Sequence, residues 1–487
     1  MNWTELMCQE RLRQYTKPGG SSDLRTEFEK DYHRIISSPS FRRLQDKTQV
    51  FPLDNSDFIR TRLTHSLEVS SFAKSLGQSV GARIINEGLA ADFTERTKAD
   101  ICDVLQCAGL IHDIGNPAFG HFGESAIQDW FRKNLERIDY NGVELTSVLN
   151  EQMLNDFYHF EGNTQAFRVV TKLHFLIDEH GMNLTKALLA TIIKYPGSSL
   201  EIDYDRKDPN RKVIHKKMGY FYADKDNFDD VERSCGLDGC RHPLTYLLEA
   251  ADDIAYNTAD IEDAVKKGNL NYRLLKEELD KYTKEISKAA EDDSVEEETG
   301  FLINASRMLE KYFNRALNNG YGNPDLYAVQ NWIVRVQGLL ISSATDAFIN
   351  NYESIMNGTF NDDLLGASAG SGLVDALSDI AYRYVFISKP ILKLEVAASS
   401  IFDFLLDRFT DAFVYFDTPF WKANKTALRE KLTMLMSENY LRIYFRYSEG
   451  KDESHKLYLR LLLVMDYVCG MTDSYAKRMY QELNGII

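Results

Sequence analysis

The sequence predicts a mainly α-helical architecture of long amphipathic helices with one small β-hairpin, and three observations carry that prediction. Apolar residues recur with a 3.6-residue period in the longer segments; between Arg60 and Ile85 they fall at Leu63, Leu67, Val69, Phe72, Leu76 and Val80. Only residues 198–223, SSLEIDYDRKDPNRKVIHKKMGYFYA, depart from this habit, with short β-leaning runs either side of a Pro-Asn turn. The chain also lacks any internal repeat or low-complexity region that would impose another architecture.

Taken in order, residues 1–30 read as a helix followed by a Pro-Gly-Gly-Ser-Ser loop at 18–22. A short helix through Tyr32–Ile36 stops at SSPS, 37–40, and the basic stretch FRRLQDKTQVF, 41–51, ends in Pro52 and a polar loop, DNSDF. Helical pattern returns at 60–85, 99–111, 152–178 and 184–195. After the hairpin stretch it resumes at 242–267 and, beyond the small-residue connector GASAGSG at 366–372, from 373 to the end. The acidic run EDDSVEEE, 291–298, reads as an exposed loop or solvated helix face.

Composition narrows the class. Hydrophobic content of 44% and charged content of 27% suit an ordinary globular protein. A net charge of -16 should repel nucleic acid and anionic membrane, so an anionic substrate would need a local basic pocket. The six cysteines read as reduced thiols, and Cys235 with Cys240 lack the second pair a zinc knuckle needs. The polar start MNWTELMCQERLRQ is unlike a secretory signal. The apolar run Leu459–Val468 is too short to span a bilayer and is interrupted by Arg460 and Asp466, so no membrane partner and a cytoplasmic location are expected.

Chemistry concentrates in HDIGNPAFGHFGE, 112–124. The apolar run Val104–Ile111 should deliver His112 and Asp113 into the interior, a nitrogen and an anionic oxygen that together suit a divalent transition metal. Gly115, Asn116 and Pro117 break the helix, and His121 and Glu124, three apart, share a face if helical. Taken alone, the doublet equally fits an interior histidine beside a helix cap. His65 lies near the start of its helix, and Asp252, Tyr256 and Asp260 fall at i, i+4 and i+8 on one helical stripe. A carboxylate buried on such a stripe is costly unless a cation compensates it. Asp253 is the alternative carboxylate, but Asp252 keeps the register with Tyr256 and Asp260.

The set His65, His112, Asp113 and Asp252 resembles the H…HD…D signature of the HD superfamily of metal-dependent phosphohydrolases. Six ordered stretches are similar to the bacterial deoxyguanosinetriphosphate triphosphohydrolase (dGTPase) family within it: FRRLQDKTQVFP, RTRLTHSLEV, HDIGNPAFGHFGE, HFEGNTQ at 159–165, IKYP at 193–196 and EAADDIAY at 249–256. The resemblance runs from about residue 30 to 265 and thins beyond 270. It implies an HD-type catalytic region over 1–270, with a helical region over 271–487 packed as one body with it.

The implied reaction is hydrolysis of dGTP, or of other dNTPs, to deoxynucleoside and tripolyphosphate by metal-activated water at the α-phosphorus. The four metal ligands would hold Mn²⁺ or Mg²⁺, with Fe²⁺ or Co²⁺ also suited to nitrogen ligands. His121 would be the catalytic acid, oriented by Glu124. Arg62, Lys194 and Lys217 (or Lys216 in its place), with Asn163 and Tyr195 as neutral donors, would face the phosphates. Gln49, Val50, Tyr256 and Asp260 would choose the sugar, Tyr256 by clashing with a 2′-hydroxyl and Asp260 and Gln49 by bonding the 3′-hydroxyl. Alternatives are a broad-specificity dNTPase, an HD phosphodiesterase or 5′-nucleotidase, and a nucleotide- or single-stranded-DNA-binding regulator without turnover. The resemblance further implies a homo-oligomer, hexamer or tetramer, with nucleotide or single-stranded DNA as effector. Arg429–Lys431 and Arg442–Arg446 are basic patches such an effector could use, although without a regular aromatic–basic alternation they read more simply as solvated faces.

Overall fold

The computed structural model describes residues 1–13, 23–51, 53, 58–174, 178–205, 208, 211–289 and 293–486. The expected turns at 18–22, Pro52 and Pro209-Asn210, and part of the acidic run, lie outside these residues. The described chain is mainly helical, as expected. Its principal helices are α1 (Arg62–Glu87), α2 (Glu95–Ile111), α3 (Gly120–Asn134), α4 (Glu151–Tyr158), α5 (Gly162–Arg168), α6 (Lys186–Thr191), α7 (Pro243–Lys266), α8 (Pro324–Asn350), α9 (Lys389–Phe413) and α10 (Glu453–Cys469).

The small β-element is in a different place from the one expected. Asp139–Tyr140 (β1) and Val143–Glu144 (β2) pair antiparallel around Asn141-Gly142, whose positive φ angles of 56° and 85° suit a tight hairpin turn. The described residues of 198–223 instead form loop and short single-turn helices, with one backbone bond from Asp203 N–H to His215 C=O across them. Alternating side chains are of little consequence here, because among the described residues no strand neighbours this segment to extend a ladder, and Met218 and Phe221 pack into the second core instead. Two other boundaries differ. The N-terminal helix is only Trp3–Leu6, and the 152–178 pattern divides into α4, α5 and a wide turn at Val169–Leu173.

Two apolar cores hold the molecule. The first is built on α1, α2, α6, α7 and α8; the second gathers α3, α4, α9 and α10. Each fully buried Leu, Val or Phe adds roughly 1.5–3 kcal/mol by leaving water. Ile114 belongs to the first core and Ala118 to the second, so HDIGNPAFG is where the chain crosses between them.

Local signals set the helices that flank this crossing. Thr61 caps α1 in a reciprocal box with Thr64, and Thr94 caps α2 likewise. The two helices pack at close range because Gly109 has no side chain; a Cβ there would sit 2.5 Å from Ser70 Cα. The C-terminal end of the chain closes on the crossing. Lys47 Nζ donates to the carbonyls of Asn116 and Cys469 at 2.5 and 3.2 Å. Asp473 accepts from the N–H groups of Thr48 and Phe119 at 3.0 and 2.9 Å. That second bond anchors Phe119, which starts α3 with a left-handed φ of 60°.

Candidate metal and phosphate site

Three helices converge on the seam between the cores. His65 comes from the first turn of α1, His112 caps the end of α2, and Asp252 lies in the middle of α7. His65, His112 and Asp113 are buried, and each offers an atom within 4.8 Å of the others. Asp252 Oδ1 lies 3.0 Å from His65 Nε2 and 3.4 Å from His112 Nε2. His112 Nδ1 is 2.8 Å from the Gly109 carbonyl; donating there fixes the tautomer and turns the Nε2 lone pair inward. That Nε2 is buried without a hydrogen-bond partner. An orphaned imidazole nitrogen among two carboxylates and a second histidine fits a divalent cation, and Asp252 rather than Asp253 is the acid that faces the histidines.

Charge follows this geometry. Burial works against the charged forms of Asp113 and His112, yet neighbours outweigh it. Arg62 and His112 hold Asp113 down to about 2, while Asp113 and Asp252 keep His112 above the usual histidine value. Asp252 is likewise held well below the usual carboxylate range by His112 and Lys194. Asp253 is pushed well above it, by burial and then by the charge of Asp252.

Two basic residues meet this acidic cluster, and a third stands beside Glu124. Arg62 donates to Asp113, and its guanidinium lies against Gly120, where φ is 62° and a Cβ would come within 2.8 Å of it. Lys194 Nζ reaches Asp252 Oδ2 at 3.4 Å. Lys217 Nζ pairs with Glu161 at 2.9 Å and with Glu124 at 3.5 Å. Burial opposes the charge of both lysines, but these carboxylates raise them above the ordinary value. The ring of Tyr195 lies 5.4 Å from the Arg241 guanidinium, which also bonds the Lys194 carbonyl at 2.6 Å and Glu249 at 3.0 Å. Asn163 Nδ2 donates to Glu161 at 2.8 Å.

His121 and Glu124 stand one turn apart on α3, but no hydrogen bond joins them among the described residues. Glu124 accepts instead from the Gly162 N–H at 3.1 Å. Burial, then the charge of Glu161, raises Glu124 to about 7. His121 is open to solvent yet surrounded by protein mass, and that environment, with Arg62 and Lys217, lowers its pKa. Glu161 is the acid that the sequence reading missed. It caps α5 through the N–H groups of Asn163 and Thr164 while holding Lys217. Glutamate is not among the favoured N-cap residues, so nothing local in the sequence marks it.

On the far side of α1, Thr48 bridges to Thr61, bringing Gln49 and Val50 beside the start of that helix. Gln49 Oε1 and Asp260 Oδ2 are both buried without hydrogen-bond partners. Burial, then Asp263, pushes Asp260 well above the usual carboxylate range. Tyr256 stacks on Phe386 with centroids 6.1 Å apart and planes 7° from parallel, which fixes its ring.

Residues 62–190 match the HD domain family model. A deoxyguanosinetriphosphate triphosphohydrolase-like protein of Listeria monocytogenes is 46% identical over 490 aligned residues, covering 100% of both chains. A protein of that description from Synechocystis is 34% identical over 100% of both chains, and a deoxyguanosinetriphosphate triphosphohydrolase of Yersinia pestis is 30% identical over 97% of each. With His65, His112 and Asp113 inside the matched segment and its relatives aligned from end to end, the chain belongs to the deoxyguanosinetriphosphate triphosphohydrolase family of HD-domain phosphohydrolases.

Proposed function

We propose that the chain hydrolyses dGTP, with other dNTPs as further substrates, to deoxynucleoside and tripolyphosphate. The observation that carries this reading is a histidine–carboxylate cluster able to hold a metal ion, bordered by Arg62 and Lys194, with Lys217 beside Glu124 and Glu161, in a protein whose net charge is -16. A monophosphate would not call for three cations; a triphosphate bears about four negative charges.

His65, His112, Asp113 and Asp252 would hold Mn²⁺ or Mg²⁺, whose chemistry when bound is to polarise a phosphoryl oxygen and lower the pKa of water. Arg62 suits bidentate contact with a phosphate and the lysines act as point charges, with Asn163 and Tyr195 as neutral donors. His121 would deliver a proton to the departing 5′-oxygen. Arg62 and Lys217 hold its pKa down, and polyphosphate bound to them would offset their charge and favour the protonated ring. Glu124 acts at one remove, by fixing Gly162 and Lys217 around that ring. Tyr256, held by Phe386, would exclude a 2′-hydroxyl, and Asp260 and Gln49 would take the 3′-hydroxyl with Val50 packed beside them.

The C-terminal region is read as packed with residues 1–270 into one body, and the assembly as a homo-oligomer. The arginines of the two basic patches that a single-stranded DNA effector would use are already engaged. Arg429, Arg442 and Arg446 pair with Asp411, Glu438 and Glu179.

Incubating the protein with each dNTP and Mn²⁺ or Mg²⁺ and identifying the products tests the reaction. Tripolyphosphate with deoxynucleoside is expected; orthophosphate or a monophosphate overturns it. His121→Ala should lower kcat by roughly 10²–10⁴-fold while leaving metal binding intact.

A further inference from the structure

Beside Lys217 opens a cavity of about 480 Å³. Its wall carries Arg132 from α3, Arg211, Lys216 and Lys217 from the 198–223 loop, and the paired rings of His159 and Tyr204. Two carboxylates face them, and both are engaged: Glu161 with Lys217 and the start of α5, Asp203 with the Asp205 N–H at 2.9 Å. The cations are less fully satisfied. Arg211 and Lys216 enter no salt bridge among the described residues, and Arg211 Nε is buried without a hydrogen-bond partner. Arg132 is held in place by the Tyr158 carbonyl, with its one carboxylate neighbour, Asp129, 3.7 Å away. A cavity with surplus positive charge in so acidic a protein is suited to an anion, and its volume lies within the range of small-molecule sites.

Lys217 ties this cavity to the catalytic cleft, since it also reaches Glu124, one turn from His121 on α3. We propose that the cavity is a polyphosphate subsite: the end of the triphosphate remote from the α-phosphorus, and afterwards the released tripolyphosphate, lodge among Arg132, Arg211 and Lys216. This rests on the reaction proposed above and adds three residues to it. His159, which burial lowers to about 4, bonds Tyr204 and gives the cavity a neutral flank. The phosphate oxyanions are therefore assigned to the arginines and Lys216.

The test is calorimetric titration of the full chain with sodium tripolyphosphate, Mg²⁺ held in excess, beside a parallel titration with deoxyguanosine. In the Arg211→Ala/Lys216→Ala double variant, tripolyphosphate should bind about tenfold more weakly or worse, with deoxyguanosine affinity unchanged. Arg132→Gln, on a separate element, should weaken the same ligand severalfold, and Arg211→Lys should restore part of the loss. Tripolyphosphate affinity equal to wild type in the double variant and in Arg132→Gln overturns the subsite, even if the wild-type protein releases tripolyphosphate from dGTP. Orthophosphate or monophosphate as wild-type product overturns the parent reaction instead.

Discussion

Asp252 and Asp253 are neighbours on one helix, yet their surroundings divide them. Asp252 faces two histidines and Lys194 and is stabilised as an anion; Asp253 is buried beside another negative charge and favours its proton. Asp252→Ala should weaken Mn²⁺ binding at least tenfold by titration, whereas Asp253→Ala should leave it near wild type. Equal loss in both would refute the assignment. A second buried acid, Asp156, accepts from Ser199, Tyr458 and the Tyr222 N–H, but burial still raises it to about 7. Its folded value lies above the unfolded one, so the folded state holds the extra proton. Stability is therefore lost as pH rises from about 4 to 7, at up to about 1.4 kcal/mol per pH unit. Urea midpoints of Asp156→Asn across this range should lack that component.

At the scale of elements, the close contact of α1 with α2 sets the spacing of His65 and His112. Gly109→Ala would drive a methyl into the backbone at Ser70. The helices would have to part, at a cost of about 1–3 kcal/mol or more, with weaker metal binding. A wild-type melting temperature and wild-type Mn²⁺ affinity together would contradict this. This level also shows what the sequence could and could not reveal. The period of α1 and the i, i+4, i+8 stripe of α7 were legible because helix geometry is local, and they present His65, Asp252, Tyr256 and Asp260 on the expected elements. The hairpin at 198–223 was misread because alternation and a Pro-Asn turn do not supply a partner strand; the actual ribbon, four paired residues around Asn-Gly, is too short for periodicity to register. The partner of Glu124 was misjudged for a related reason. Helical spacing brings His121 near it, but Lys217 and Gly162 arrive from sequence positions 93 and 38 residues away.

Over the whole molecule, buried charge joins the two cores. Arg168 on α5 meets Asp466 on α10 through paired bonds of 2.8–3.0 Å and reaches Asp224 at 3.1 Å, all three out of contact with water. Removing one partner leaves the guanidinium short of a counter-charge, so Asp466→Ala should lower unfolding free energy by about 3–5 kcal/mol in denaturant titrations. A change below 1 kcal/mol would contradict the assignment. Lys47 makes the same connection nearer the chemistry. Burial lowers its ammonium to about 8, and the two carbonyls that hold it come from opposite ends of the chain, Asn116 and Cys469. Trimming the protein to its histidine-bearing half would strand that ammonium and release the grip of Asp473 on Phe119. An inert fragment would then report a collapsed elbow, and deletion mapping would credit the last twenty residues with a catalytic role when what they contribute is scaffolding.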